Sequence, residues 1–271
     1  MSDDLRFSLV ISEGPHDVEA AAKVLRLKKF QRARKLCEVP ALLQAVIPRH
    51  YPSENKDGEL CRIVAHPSFL FKENYWILLS NANGESNLGG NLDEILSPLS
   101  KQYVDTTLRG IAVLADADAK DAGGKRRALF SQLSEAFADG GDLALDPAEP
   151  DQIRVFAHSR PFGMYIFPDC QSCGTLERVL LAGAQNTYPE LLKEAEKYVA
   201  YAKTLLYAKN LTSGSNGEKA VVGVIANALR PGKANQVSIH DDDWFTKESL
   251  TSLALHQALS EFIDTIIQWG R

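Results

Sequence analysis

Cysteine and methionine are scarce, with four Cys and two Met in 271 residues. Cys37, Cys61, Cys170 and Cys173 are too few to staple a chain this long, which excludes a disulfide framework and suits a reducing compartment. Long apolar runs are missing too. Stretches such as residues 111–115 fall far short of the roughly 18 residues that a bilayer span requires. The first residues include Ser2, Asp3 and Asp4 and no basic stretch leading into an apolar one, so no secretory leader is expected and the expected location is the cytoplasm, away from membranes. Positive charge is not in excess: 30 Lys and Arg face 35 Asp and Glu, a net charge of -5. Proteins that coat nucleic acid are normally basic, so a packaging role is excluded. An acidic chain can still act on a polyanion where bound cations or a local basic patch reverse the field. No GxxxxGK[ST] occurs, so the chain carries no nucleotide motif, and any ATPase must be a separate polypeptide.

What is present is ordinary globular material, 45% apolar and 24% charged. Residues 6–12 (RFSLVIS) read as a buried strand running into Glu13-Gly14-Pro15 and a helix over 15–30, whose Val18, Ala21, Ala22 and Leu25 form one apolar stripe. Pro15 suits a first helical turn. The chain then predicts a short helix at 41–47, strands at 60–65 and 75–79, a polar Gly-rich loop at 81–91 and a helix over 92–104. Residues 110–116 (GIAVLAD) are the clearest buried strand. They lead through Gly123-Gly124 to a helix ending near residue 138, a loop at 139–151 and strands at 153–157 and 164–167. After Gly174 helices dominate, with candidates at 189–207, 219–229 and 247–269. Strands alternating with helices, followed by helices alone, predict an α/β fold, a mainly parallel Rossmann-like sheet flanked by helices with a helical C-terminal region. The expected division is a core over 1–185 and a helical cap over 186–271 packed on it.

Three predicted strands end in acids: Glu13, Asp116 and Asp169. In open parallel sheets, ligands collect outside the carboxyl ends of the strands. Asp116 and Asp118 are two apart, so in an extended segment both point the same way, and paired carboxylates suit a hard cation such as Mg2+ or Mn2+. Asp118 serves equally well as a helix cap. Gly14 suits a sharp strand-to-helix turn, and Asp17 stabilises a first helical turn.

A strand ending in EGxxD (Ser12 to Asp17), a Gly-rich loop and a later strand ending in DxD (Leu114 to Asp118) together resemble the Toprim domain, the metal-binding catalytic module of topoisomerases, bacterial primases and OLD-type nucleases. The segment from Gly163 to Asp169, with Gly174-Thr-Leu-Glu177 after it, is similar to a stand-alone Toprim-related family, although Cys170 stands where that pattern usually has Asn. Lys219-Ala220 and the closing helix over 262–269 also look similar to that family. The resemblance implies a Toprim-like fold and a Mg2+- or Mn2+-dependent nuclease or phosphodiester-transfer enzyme acting on nucleic acid. Glu13 would be the general acid/base or a metal ligand, Asp116 and Asp118 the metal ligands, and Gly14, Asp17, Asp169 and Glu177 supporting groups.

Other features have plainer explanations. Cys170 and Cys173 form a CxxC with no second pair and no spaced histidines to complete a zinc site, so no zinc is expected. The six histidines, His16 among them, show no ligand spacing. Residues 26–35 hold six basic residues and no acid. They read as a solvated face or as a phosphate-contacting patch through Lys28, Lys29, Arg32, Arg34 and Lys35, which Lys125 would extend. Two other functions fit part of the pattern. One is a non-catalytic Toprim-like protein that binds a metal, a nucleotide or a protein partner. The other is a haloacid-dehalogenase-like phosphatase, with DxD as nucleophile and a second acidic strand at 237–241.

Overall fold

Alternating burial explains the centre of the molecule. In β1 (Arg6–Ser12), Phe7, Leu9 and Ile11 enter one apolar cluster while Val10 enters another, so the strand is covered on both faces. The computed structural model describes residues 5–48, 66–138, 154–155, 161–205 and 209–271. After β1 come α1 (Pro15–Leu27), β2 (Gln31–Arg32), β3 (Ser68–Lys72), β4 (Tyr75–Asn81), α2 (Leu88–Leu96), α3 (Lys101–Thr107), β5 (Leu108–Asp116), α4 (Ala122–Ala138), β6 (Arg154–Val155) and β7 (Pro161–Phe167). Six further helices carry the remainder: α5 (Leu176–Thr187), α6 (Pro189–Ala202), α7 (Asn216–Leu229), α8 (Asn235–Asp241), α9 (Ser249–Ser252) and α10 (Ala254–Trp269).

The strands form one sheet of order β2-β3-β4-β1-β5-β7-β6. The four central strands β4, β1, β5 and β7 are parallel, and the outer pairings are antiparallel. This is an α/β fold with a mainly parallel sheet, flanking helices and a helical C-terminal region. Leu92, Leu129 and Leu133 from α2 and α4 pack on the face of Phe7, Trp76 and Val113. Residues of α1, α5, α7, α8 and α10 pack on the face of Val10, Ile77, Leu114 and Phe167. Among the described residues, no helix is long and apolar enough to cross a membrane.

Several elements depart from the sequence reading. α1 stops at Leu27 because Lys29 turns left-handed (φ 72°) and Phe30 N–H bonds back to Leu25 O. β3 joins β4 through a tight hairpin whose Glu73 also has positive φ. The expected helix at 92–104 is two helices, divided around Pro98, with Ser100 capping α3 by accepting from Tyr103 N–H. α2 begins inside the expected loop, since burial of Leu88, Leu92 and Ile95 outweighs the poor propensity of Gly89 and Gly90. Residues 237–241 belong to α8, not to a strand, which removes the second acidic strand that the phosphatase reading needs. Asp241 closes that helix and pairs with His240, so the acidic run at 241–243 marks a helix end. The strand expected at 60–65, the loop at 139–151 and Cys61 lie outside the described residues, as does most of the strand expected at 153–157.

Candidate functional site

The carboxyl ends of β1, β4 and β5 lie side by side and are tied by backbone bonds. The chain leaving β4 donates from Ala82 N–H to Ser12 O (2.9 Å) and from Gly84 N–H to Glu13 O (2.8 Å). Gly84 needs its positive φ of 125° to bring Glu85 inward. At the end of β5, Asp116 N–H donates to Glu13 Oε2 (3.1 Å), and Asp116 Oδ1 accepts from Leu176 N–H at the start of α5 (2.9 Å). Gly14 N–H donates to Asp17 Oδ2 (3.0 Å), holding that carboxylate at the start of α1. Glu177 accepts from the Thr175 hydroxyl (2.6 Å). These groups surround a cleft of about 320 Å³, which Asp118, His16 and Lys219 also line.

Six carboxylates (Glu13, Asp17, Glu85, Asp116, Asp118 and Glu177) line the cleft or its wall. Two lysines balance them. Lys219 borders the opening, and Lys125 is buried with its side chain 2% exposed. Its ammonium lies 2.9 Å from Glu85, 3.2 Å from Glu13 and 3.7 Å from Asp118. Burial alone would lower its pKa, but the bonds to Glu85 and Glu13 outweigh that and raise it. Burial, opposed by the Leu176 N–H and reinforced by Glu177, Glu13 and Asp118, pushes Asp116 up to about 7. Asp17 is raised well above the ordinary carboxylate range by burial and by Asp116. His16 is lowered, mainly by burial.

The geometry brings Glu13, Gly14, Asp17, Asp116, Asp118 and Glu177 together. The reasons differ in two places. Asp118 is not in an extended segment: β5 ends at Asp116, and Asp118 is left-handed (φ 56°), fixed by paired backbone bonds to Gly174. Gly14 is extended (φ -136°), so its conformation does not demand glycine.

Asp169 does not join the site. It accepts from Gln171 N–H, Ser172 N–H and Ser172 Oγ in its own loop. The basic run also lies elsewhere. α1 has 13 residues, about 20 Å at 1.5 Å per residue, and it starts at the cleft, so its basic end is carried to the opposite edge of the sheet. There Lys28 pairs with Asp264 and Arg32 with Glu19, while Glu38 accepts from Arg34 and Lys35 N–H. Lys29 marks the helix end. Lys125 is no surface contact for nucleic acid, because it is buried among carboxylates.

Sequence reasoning missed Glu85, Lys219 and His16 as cleft residues, and it missed the role of Lys125. One signal pointed to Lys125: it shares the buried face of α4 with Ala122, Leu129 and Leu133 at helical spacing. Cys170 and Cys173 are free thiols.

The donor set is chemically suited to a hard divalent ion, since carboxylate oxygens form the acidic wall and burial, reinforced by neighbouring carboxylates, raises Asp116 and Asp17. Among the described residues, no three or more His, Cys, Asp or Glu side chains are arranged to hold a metal as they stand. Glu13, Asp17, Asp116 and Glu177 each accept from a protein donor instead.

The family described as a protein of unknown function, DUF3226, matches residues 8–267. The chain belongs to this family. The crystal structure of the hypothetical protein PH0156 from Pyrococcus horikoshii OT3 is similar at a TM-score of 0.55 and 17% identity, covering 97% of this chain and 100% of that one. At that identity the likeness concerns the fold alone. None of the curated proteins matches.

Proposed function

We propose that this protein is a Mg2+- or Mn2+-dependent Toprim-type nuclease that hydrolyses phosphodiester bonds of nucleic acid. The observation that carries the reading is the convergence of Glu13, Asp116, Asp118, Asp17 and Glu177 on one cleft from separate elements. Asp116 and Asp118 would hold the ion, with Asp17 and Glu177 beside them. When bound, the ion would polarise a phosphoryl oxygen and lower the pKa of its water.

The chain's own groups do the rest. Asp116 N–H and the Lys125 ammonium fix the Glu13 carboxylate from two sides, so it is oriented before substrate arrives. Oε1 of Glu13 is the atom that would take or return a proton at the reacting oxygen. Lys219 borders the cleft and attracts phosphate, and the N-termini of α1 and α5 open toward the same space. The non-catalytic alternative gains from one observation: Lys125 occupies Glu13, the group that must turn over a proton.

Single- and double-stranded DNA and RNA, incubated with Mg2+ or Mn2+, test the reading. Cleavage is expected with the parent protein, lost in Asp116→Asn through weaker metal binding. In Glu13→Gln it should slow by about 10²–10⁴-fold while metal binding persists, as for loss of a general acid/base. No metal-dependent cleavage of any of the four substrates by the parent would overturn the nuclease reading, and metal binding without cleavage would favour the binding protein.

A further inference from the structure

One wall of the acidic cleft already holds a cation, the ammonium of Lys125. Lys125 rises from the first turns of α4 with its side chain 2% exposed. A buried lysine is rare unless paired. Here the pairing is with acids from three segments: Glu13 after β1, Glu85 after β4 and Asp118 after β5. An ammonium has three N–H donors and no acceptor; this one donates to Glu85 and Glu13 and pairs with Asp118, at 3.7 Å, by charge alone. Glu85 is itself held in place, because its carbonyl accepts from Gln132 on α4 at 2.9 Å.

We propose that the cleft takes one divalent cation per chain, not a pair, because the Lys125 ammonium fills the position among Glu13, Glu85 and Asp118 that a second ion would need. The inference rests on the reading of the cleft as a divalent-cation site. Paired catalytic ions stand roughly 3.5–4 Å apart and share carboxylates between them. Glu13 is the carboxylate that joins the two halves here, and its oxygens are committed to Lys125 and to Asp116 N–H. An ion entering the Lys125 side would have to expel a buried ammonium or sit against it, like charge to like. On the other side, Asp116 and Asp118, whose nearer oxygen is 3.7 Å from the ammonium, with Asp17 and Glu177 beside them and retained waters, suffice for one hard ion.

The test is Mn2+ binding to the full chain, counted by titration and read by electron paramagnetic resonance. The parent should bind one Mn2+ with the hyperfine pattern of an isolated ion. Lys125→Met should bind two, with a spin-coupled spectrum, since three carboxylates lose their ammonium. Lys125→Arg, which keeps the charge, should stay at one. Two ions or a coupled spectrum in the parent would overturn the inference and leave the metal-dependent function standing. No Mn2+ bound by the parent would overturn both. A single ion in a folded Lys125→Met would show that Lys125 is not what excludes the second. Should that variant fail to fold, the parent's stoichiometry and spectrum decide alone.

Discussion

Asp116 is costly to the fold because it is useful to the cleft. Its carboxyl has an ordinary pKa of 3.8 and is pushed up to about 7, chiefly by burial. The folded state therefore holds the proton more tightly than the unfolded state does. Between about pH 3.8 and 7 the group's contribution to stability falls as pH rises, and above 7 the full penalty remains. Asn keeps the acceptor for Leu176 N–H and cannot ionise. Asp116→Asn should therefore stabilise the metal-free protein at pH 8, by on the order of 1–4 kcal/mol, and hardly at all at pH 3.5. Thermal melts of parent and variant at the two pH values check this; a variant less stable than the parent at pH 8 would contradict it. Glu13, Asp116 and Asp118 were legible in the sequence because they follow the ends of strands. Glu85 was not, because it arrives beyond a positive-φ glycine that local pattern does not reveal. Lys125 was misread because it opens a Lys-Arg-Arg run, and charge alone does not say which of three neighbouring helix positions faces inward.

At the scale of elements, the strand-end acids are useful only because helices press closely on the sheet and on each other. α5 carries Glu177 into the cleft at its first turn and lies against the segment after α8 further along. Gly183 makes that approach possible: a Cβ there would sit 2.0 Å from Trp244 O and 2.9 Å from the His256 ring. His256 is itself buried, bonded to Val179 O and Ser249 Oγ, so it has little room to yield. Gly183→Ala should cost about 3 kcal/mol, toward the upper end for overpacking a core. It should also loosen the α5 start that holds Asp116. Chemical denaturation measures the loss; a cost below about 0.5 kcal/mol, the range of indifferent surface changes, would mean that α5 can shift freely. α6 was readable from sequence as the helix expected over 189–207, whereas α5 was legible only as part of the helix-rich stretch after Gly174. α8, seven residues long, was not, because two turns are too short to establish a period and packing on α1 decides its state.

Over the whole molecule, the C-terminal helices close the sheet that positions the site. α10 lies over the β5 and β7 side through two glycines. Trp269 occupies the space that a Cβ on Gly110 would need, and Phe262 and Trp269 stand over Gly163. Tyr75 of β4 donates its hydroxyl proton to Ile266 O or to Ser8 Oγ, each 2.7 Å away, so the same helix reaches across to the other side of β1. Strand residues Val10, Ile77 and Leu114, Trp244 from the turn after α8, and helix residues Leu259 and Ile263 form one apolar cluster. A helical end was legible in the sequence, but the sequence did not show that it covers the β5 and β7 part of one sheet face, because glycines inside strands announce a close approach without naming the partner. Folding should therefore be a single event. Trp76 reports from the opposite face, and Trp244 and Trp269 from the C-terminal side, so tryptophan fluorescence and far-ultraviolet circular dichroism should follow one coincident transition. A chain cut after residue 185 loses α10 and bares the β5 and β7 part of that face, with Ala112, Leu114 and Tyr165 on it. It should fail to reach a folded state and should bind apolar dyes. Two separated transitions in the full chain, or a soluble 1–185 fragment with a cooperative melt, would show instead that the sheet and its acidic cleft stand without the helices that cover them.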